Sequence, residues 1–162
     1  MSPGSPNQKV IEGYRFPVDI YYHKEHTWAR VKEDGNVRVG MDDFFQKVAG
    51  VIINVELPSE GYQVEQGVSC GKIQSSKWIS SIVSPVNGSV VAVNHSLEED
   101  STLVNSQPYR DGWIMVVKPV KLEEDLRQLM RAEQLDEWLR KETKKARAEI
   151  DKRKSRQGLG RF

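Results

Sequence analysis

Gly71-Lys72-Ile73-Gln74-Ser75-Ser76-Lys77-Trp78-Ile79-Ser80-Ser81-Ile82-Val83 lies near the middle of a chain of 162 residues. Two β-prone runs, residues 71–74 and 79–83, flank the small polar pair Ser75-Ser76, so the pattern reads as a hairpin with Lys77 at or beside its tip. A lysine there is carried into water on a stiff support. Lysines are exposed almost everywhere in proteins, so exposure alone distinguishes nothing. What singles out Lys77 is the sequence on either side.

Beyond the hairpin, Ser84-Pro85-Val86-Asn87-Gly88 is a turn, with Pro85 setting the exit direction. Gly50-Val51-Ile52-Ile53-Asn54-Val55 aligns with Gly88-Ser89-Val90-Val91-Ala92-Val93 at an offset of 38 residues, and each copy meets a turn residue 17 positions later, Gly67 and Asn105. The lysine hairpin falls between the copies. This predicts a mainly β fold, a flattened barrel or sandwich of two similar halves related by a pseudo-twofold, with the hairpin projecting at one end.

Upstream, residues 1–13 are polar, with two prolines and two glycines, and are expected to be poorly ordered and flexible. Residues 14–20 are placed along the body. His26-Thr27-Trp28-Ala29-Arg30-Val31 and Val37-Arg38-Val39-Gly40 flank an Asp34-Gly35 turn and predict a β-hairpin. Residues 42–48 (DDFFQKV) predict a short helix capped by Asp42 or Asp43 and ended by Gly50. Residues 51–57 read as a buried strand, 94–104 as a helical turn or loop, and 113–119 as a closing strand after the turn at 108–112.

From Lys121 the apolar spacing becomes helical. Leu122, Leu126, Leu129, Met130, Leu135, Trp138 and Leu139 predict a C-terminal helix over 122–139, or two helices broken near Gln134, docked on the body. Residues 140–162 hold ten Lys/Arg against three Asp/Glu, a basic tail of +7 expected to fray and to be disordered from Ser155. By difference from the net charge of +1, residues 1–139 carry −6. The body, residues 14–121, forms the main domain.

Composition excludes several classes. Hydrophobic content of 38% with 29% charged residues is that of a soluble protein, and no apolar run approaches the ~18–20 residues of a membrane span. Residues 1–7 have no apolar secretory core. Cys70, the sole cysteine, can form no internal disulfide or cysteine metal cluster and suits a reducing cytoplasm. His23 and His26 are close in sequence, but no further ligands accompany them, so no metal site is assigned. The basic tail lacks a base-reading motif, and no nucleic-acid partner is assigned. A thiol enzyme built on Cys70 with His26 or His95 is a weak alternative, since a cysteine within a β-run is usually a small buried hydrophobe.

A projecting lysine between two β-halves suits attachment of a cofactor arm. In Tyr21-Tyr22 with His26 and Trp28, Val39-Gly40-Met41, Leu57-Pro58 with Gly61, Lys77 followed by Ser84-Pro85-Val86-Asn87-Gly88, and Asn105 with Pro108-Tyr109 and Gly112-Trp113, residues 20–121 resemble the glycine-cleavage H-protein family of lipoyl carriers. The resemblance implies a lipoyl/biotinyl-carrier hammerhead fold, and makes Lys77 the residue whose ε-amine bears lipoate in amide linkage. It further implies a non-catalytic, cytoplasmic, monomeric carrier whose swinging arm shuttles a bound intermediate. Its partners would be a lipoate ligase or lipoyl transferase and the P, T and L type proteins of glycine cleavage.

Two features depart from the family pattern. The acidic residues usual three before and four after the modified lysine are Gln74 and Ser81 here. Trp78 and the segments Tyr21-Tyr22-His23 and His26-Thr27-Trp28-Ala29-Arg30 are also similar to a divergent branch, the lipoate-binding proteins of the heterodisulfide-reductase-like sulfur-oxidation system. There the arm would carry sulfur intermediates and the partner would be a heterodisulfide-reductase-like complex. The alternative from another class is an unmodified paralogue acting as an interaction or scaffold module.

Overall fold

The computed structural model describes residues 7–159. In chain order the strands are β1 (Gln8–Ile11), β2 (Tyr14–Pro17), β3 (Tyr21–Tyr22), β4 (Thr27–Val31), β5 (Val37–Met41), β6 (Ile52–Glu56), β7 (Gln63–Val64), β8 (Ser69–Ser75), β9 (Ile79–Val83), β10 (Gly88–Val93) and β11 (Met115–Pro119). The helices are α1 (Asp43–Ala49), α2 (Ser96–Glu99), α3 (Leu103–Ser106), α4 (Leu122–Arg127) and α5 (Asp136–Leu159), with a 3-10 turn over Ala132–Gln134 before the last.

Among the described residues the strands form three sheets: β1-β2, a six-stranded sheet ordered β3-β4-β5-β11-β10-β7, and a three-stranded sheet ordered β6-β8-β9. The larger two share one core. Ile52, Val55, Ile73 and Ile82 of the smaller sheet pack with Val37, Val39, Val90, Met115 and Val117 of the larger. The architecture is therefore sandwich-like and does not close into a barrel. A second cluster gathers Phe16, Tyr22, Trp28, Phe44, Leu135 and Leu139, which ties β2, α1 and α5 to the outside of the large sheet. Trp28 lies flat over Gly40, where a Cβ would come within 2.5 Å of the ring, so glycine is needed for that approach.

The 38-residue repeat has a structural counterpart. β6 pairs with β8 and carries an irregularity between Ile52 and Asn54; β10 pairs with β11 and carries one between Val90 and Ala92. These positions are equivalent under the offset. The predicted hairpin is β4-β5, with Gly35 at φ +87° in its turn. Asp42 caps α1 by accepting from the Phe45 N–H at 2.7 Å, and Gly50 ends the helix at φ +84°.

Three expectations change. The segment through Gly13 is not loose over its described part: β1 pairs with β2 across a turn in which Glu12 and Gly13 both have positive φ, and Ile11 and Phe16 are buried. The expectation for residues 1–6 lies outside the described residues. The strand read as buried at 51–57 is buried on one face only, with Val51 57% and Ile53 53% exposed, because β6 is an edge strand with only Ile52 and Val55 against the core. The C-terminal helix does not give way at residue 140. After a break between Arg127 and Asp136, α5 runs as one helix to Leu159, supported by good helix formers and by pairs such as Glu137–Lys141 at 3.5 Å. Residues 160–162 lie outside the described residues.

Candidate functional site

Lys77 sits in the three-residue connection between β8 and β9, and its side chain is exposed. Ser75 builds this tip. Its buried Oγ accepts from the backbone N–H groups of Lys77 and Trp78, both at 3.2 Å, and its own N–H donates to the Trp78 carbonyl at 2.9 Å. A serine hydroxyl that replaces backbone partners in this way closes a turn without glycine. The Ser76 N–H donates to the Val51 carbonyl at 3.2 Å, which ties the tip to the chain leading into β6. Beside it, a Cβ on Gly50 would lie 3.7 Å from Lys77 Cε, so the lysine stem passes over a glycine.

Asn105 anchors that chain from beneath. Its Oδ1 accepts from the Ile52 N–H at 2.9 Å, while its Nδ2 donates to the Gly50 carbonyl at 2.8 Å. Ser101 Oγ donates to the Ile52 carbonyl at 2.7 Å. Asn105, expected at a turn, lies instead in the short helix α3, and from the second copy of the repeat it holds the start of the first. These bonds tie the lysine tip to the chain leading into β6, and that chain to α3 and Ser101.

Next to the tip is a groove of about 380 Å³. Trp78, Phe45 and Val48 supply apolar surface; Ala146, Glu142 and Lys145 of α5 form the facing wall. His26 lies in the lining, with φ +72°. Its Nδ1 is 3.0 Å from Asp42 Oδ2 and its Nε2 is 2.7 Å from Glu142 Oε1. Burial alone would lower the affinity of this imidazole for its second proton. The charges and hydrogen bonds of Asp42 and Glu142 outweigh burial and raise its pKa to about 9. At neutral pH it is an imidazolium donating from both nitrogens. The Glu142 carboxyl is held below its usual range, first by the bond from His26 and also by Lys145 at 3.0 Å, against the opposing effect of burial.

The other candidates do not join Lys77. Cys70, on β8, donates to the Ile82 carbonyl at 3.4 Å, and burial pushes its thiol up to about 11, the opposite of what a thiolate nucleophile needs. His95 is exposed and bonded to Glu98. His23 accepts from the Glu25 N–H, and burial lowers its pKa. Gln74 is half-buried opposite Ile79, and Ser81 is exposed opposite Lys72. The His26–Glu142 contact and the groove escape sequence reading, because the two residues lie 116 positions apart.

The family model for the glycine cleavage H-protein matches residues 20–142. The probable glycine cleavage system H protein of Thermococcus kodakarensis is 42% identical over 127 residues, 78% of this chain and 94% of the relative. That of Saccharophagus degradans is 46% identical over 106 residues, 65% of this chain and 82% of the relative. Among solved structures, the glycine cleavage system H protein from Mycobacterium marinum superposes with a TM-score of 0.67 at 31% identity, covering 74% of this chain and 94% of that one. The chain belongs to the glycine cleavage H-protein family, the non-catalytic lipoyl carriers of the glycine cleavage system.

Proposed function

We propose that Lys77 carries lipoate in amide linkage and that the chain works as a swinging-arm carrier between the P, T and L type proteins of glycine cleavage in the cytoplasm. The observation that carries this reading is an exposed lysine at the tip of a hairpin whose backbone is held by Ser75 and by the Val51 carbonyl. A lipoate ligase or transferase needs the amine presented, and the hydrogen-bonded tip presents it. When bound, lipoamide supplies a disulfide that becomes a dithiol on accepting electrons together with a sulfur-bound group. Trp78, Phe45 and Val48 offer apolar surface within reach of the stem, and the groove they line falls in the size range of small-molecule sites, about 300–1,000 Å³. The residues present therefore fit the group.

The relatives reported above are glycine cleavage system H proteins, which favours aminomethyl as the cargo over the sulfur intermediates of the heterodisulfide-reductase-like system. Gln74 and Ser81 favour a second reading, the unmodified scaffold paralogue, in case the attaching enzyme reads carboxylates at those positions. Peptide mass spectrometry of the protein from its own host separates the two. A lipoyl adduct on Lys77 supports the carrier; a bare Lys77 in cells that lipoylate their other carriers overturns it.

A further inference from the structure

At the opposite end of α1 from Lys77 lies a second concavity, an open basin of about 970 Å³ where β2, the β4-β5 hairpin and residues 106–113 meet. The end of α1 nearer the basin is marked by Tyr109, whose hydroxyl accepts from the Asp43 N–H at 2.9 Å and donates to the Arg15 carbonyl at 2.6 Å. Four arginines line the basin: Arg15, Arg30, Arg38 and Arg110. Arg30 is paired with Asp19 at 2.7 Å. Among the described residues no carboxylate pairs with Arg15, Arg38 or Arg110. Arg38 is held by stacking, its guanidinium 5.2 Å from the centre of the Trp113 ring, and its buried Nε has no hydrogen-bond partner.

Asp19 and Asp111 also line the basin, so four guanidinium groups face two carboxylates, a net excess of positive charge that runs against the body, which is net acidic. Guanidinium forks match carboxylates with two parallel hydrogen bonds each. We propose that the basin is a docking site for an acidic peptide segment of a partner protein, its carboxylates paired with Arg15, Arg38 and Arg110. The three groups come from three separate segments around a space far larger than one carboxylate or phosphate, so a chain bearing several carboxylates fits better than a single small anion. The seven-residue α1 spans about 10 Å at 1.5 Å per residue, so a partner seated here remains near the lysine hairpin. The proposal does not require Lys77 to be modified.

The test is fluorescence anisotropy of a fluorescein-labelled octaglutamate peptide titrated with the full chain, with tryptophan indole NMR signals followed in parallel. The expected result is saturable binding that moves the Trp113 indole signal and weakens about tenfold or more in Arg15→Gln/Arg38→Gln/Arg110→Gln, tenfold being 1.4 kcal/mol. Arg110→Gln alone, at an exposed position, should weaken it by a smaller factor and guards against misfolding of the triple variant. Because α5 is also basic, Lys144→Gln/Arg147→Gln/Lys152→Gln is the control and should leave the basin signal unchanged. Loss that follows the helix variant instead, no binding at all, or displacement by inorganic phosphate at concentrations as low as the peptide's own would overturn the proposal, the last marking a small-anion site.

Discussion

Gly50 and Gly88 occupy the same place in the two copies of the repeat, and the structure needs each for a different reason. Gly50 ends α1 at φ +84° with open space beside it apart from the Lys77 stem. Gly88 has no unusual φ but lies on β10 between β11 and the edge strand β7, where a Cβ would collide with the Lys118 carbonyl. The strands that follow keep the same inward residues, Ile52 and Val90, each 1% exposed. One copy closes a core and the other supports a projecting lysine. The repeated segment specifies a strand with a bulge; its neighbours determine whether that strand is wall or platform.

Substitutions can break that contrast, and the largest effect is expected where backbone blocks backbone. Gly88→Ala should destabilise the fold by about 3 kcal/mol, the upper part of the usual overpacking range, read as a lower urea midpoint. A midpoint unchanged from the parent would mean that the sheet at β10 yields more easily than its contacts imply. A change touching neither copy sets the scale. His26→Asn, which keeps a residue tolerant of positive φ, should cost about 3 kcal/mol at neutral pH by leaving Asp42 buried without its partner.

The same histidine gives a pH test with a definite sign. Its folded pKa of about 9 lies above the ordinary 6.5, so the stabilisation it confers is full below 6.5 and is lost as pH rises through about 9. The depressed Glu142 acts in the other direction, contributing above its ordinary value of 4.5 and losing that contribution as pH falls below it. Thermal melts of the parent should therefore fall off between pH 6.5 and 9, and the His26→Asn chain should lack that alkaline decline.

Gly50→Ala should be milder, about 2 kcal/mol for a non-glycine residue in that backbone region, since nothing rigid blocks its Cβ. Its stronger effect should be on how fast a lipoate ligase modifies Lys77. Asn105→Ala removes the bonds to Ile52 and Gly50 and should cost about 1.5 kcal/mol, again with slower modification. Ser75→Ala should be smallest in stability, about 1 kcal/mol, yet it loosens the turn that presents the lysine. Equal modification rates for parent, Gly50→Ala and Ser75→Ala would show that the platform does not matter to the attaching enzyme.

Much of this was legible in the chain. The β4-β5 hairpin was marked by alternating residues around Asp34-Gly35, α1 by its Asp42 cap and Gly50 stop, and the Lys77 hairpin by two β-prone runs around Ser75-Ser76. The repeat was visible because sequence carries bulge and strand together. The described part of the N-terminal segment was misread because its order comes from burying Ile11 and Phe16, which composition alone does not report. Beyond residue 140 the thin apolar stripe predicts fraying, whereas the charged residues there themselves favour helix and α5 continues to Leu159.

The sequence by itself determined the β4-β5 hairpin, α1 and the lysine hairpin, since capping, turn chemistry and strand alternation act between residues a few positions apart, and its spaced motifs carried the family. Tertiary structure alone decided that Asn105 holds the lysine platform, that Glu142 meets His26 across 116 positions, and that three arginines gather unpaired in one basin. Those arrangements arise from packing distant segments around a shared core, and local propensity carries no record of which distant side chain will arrive.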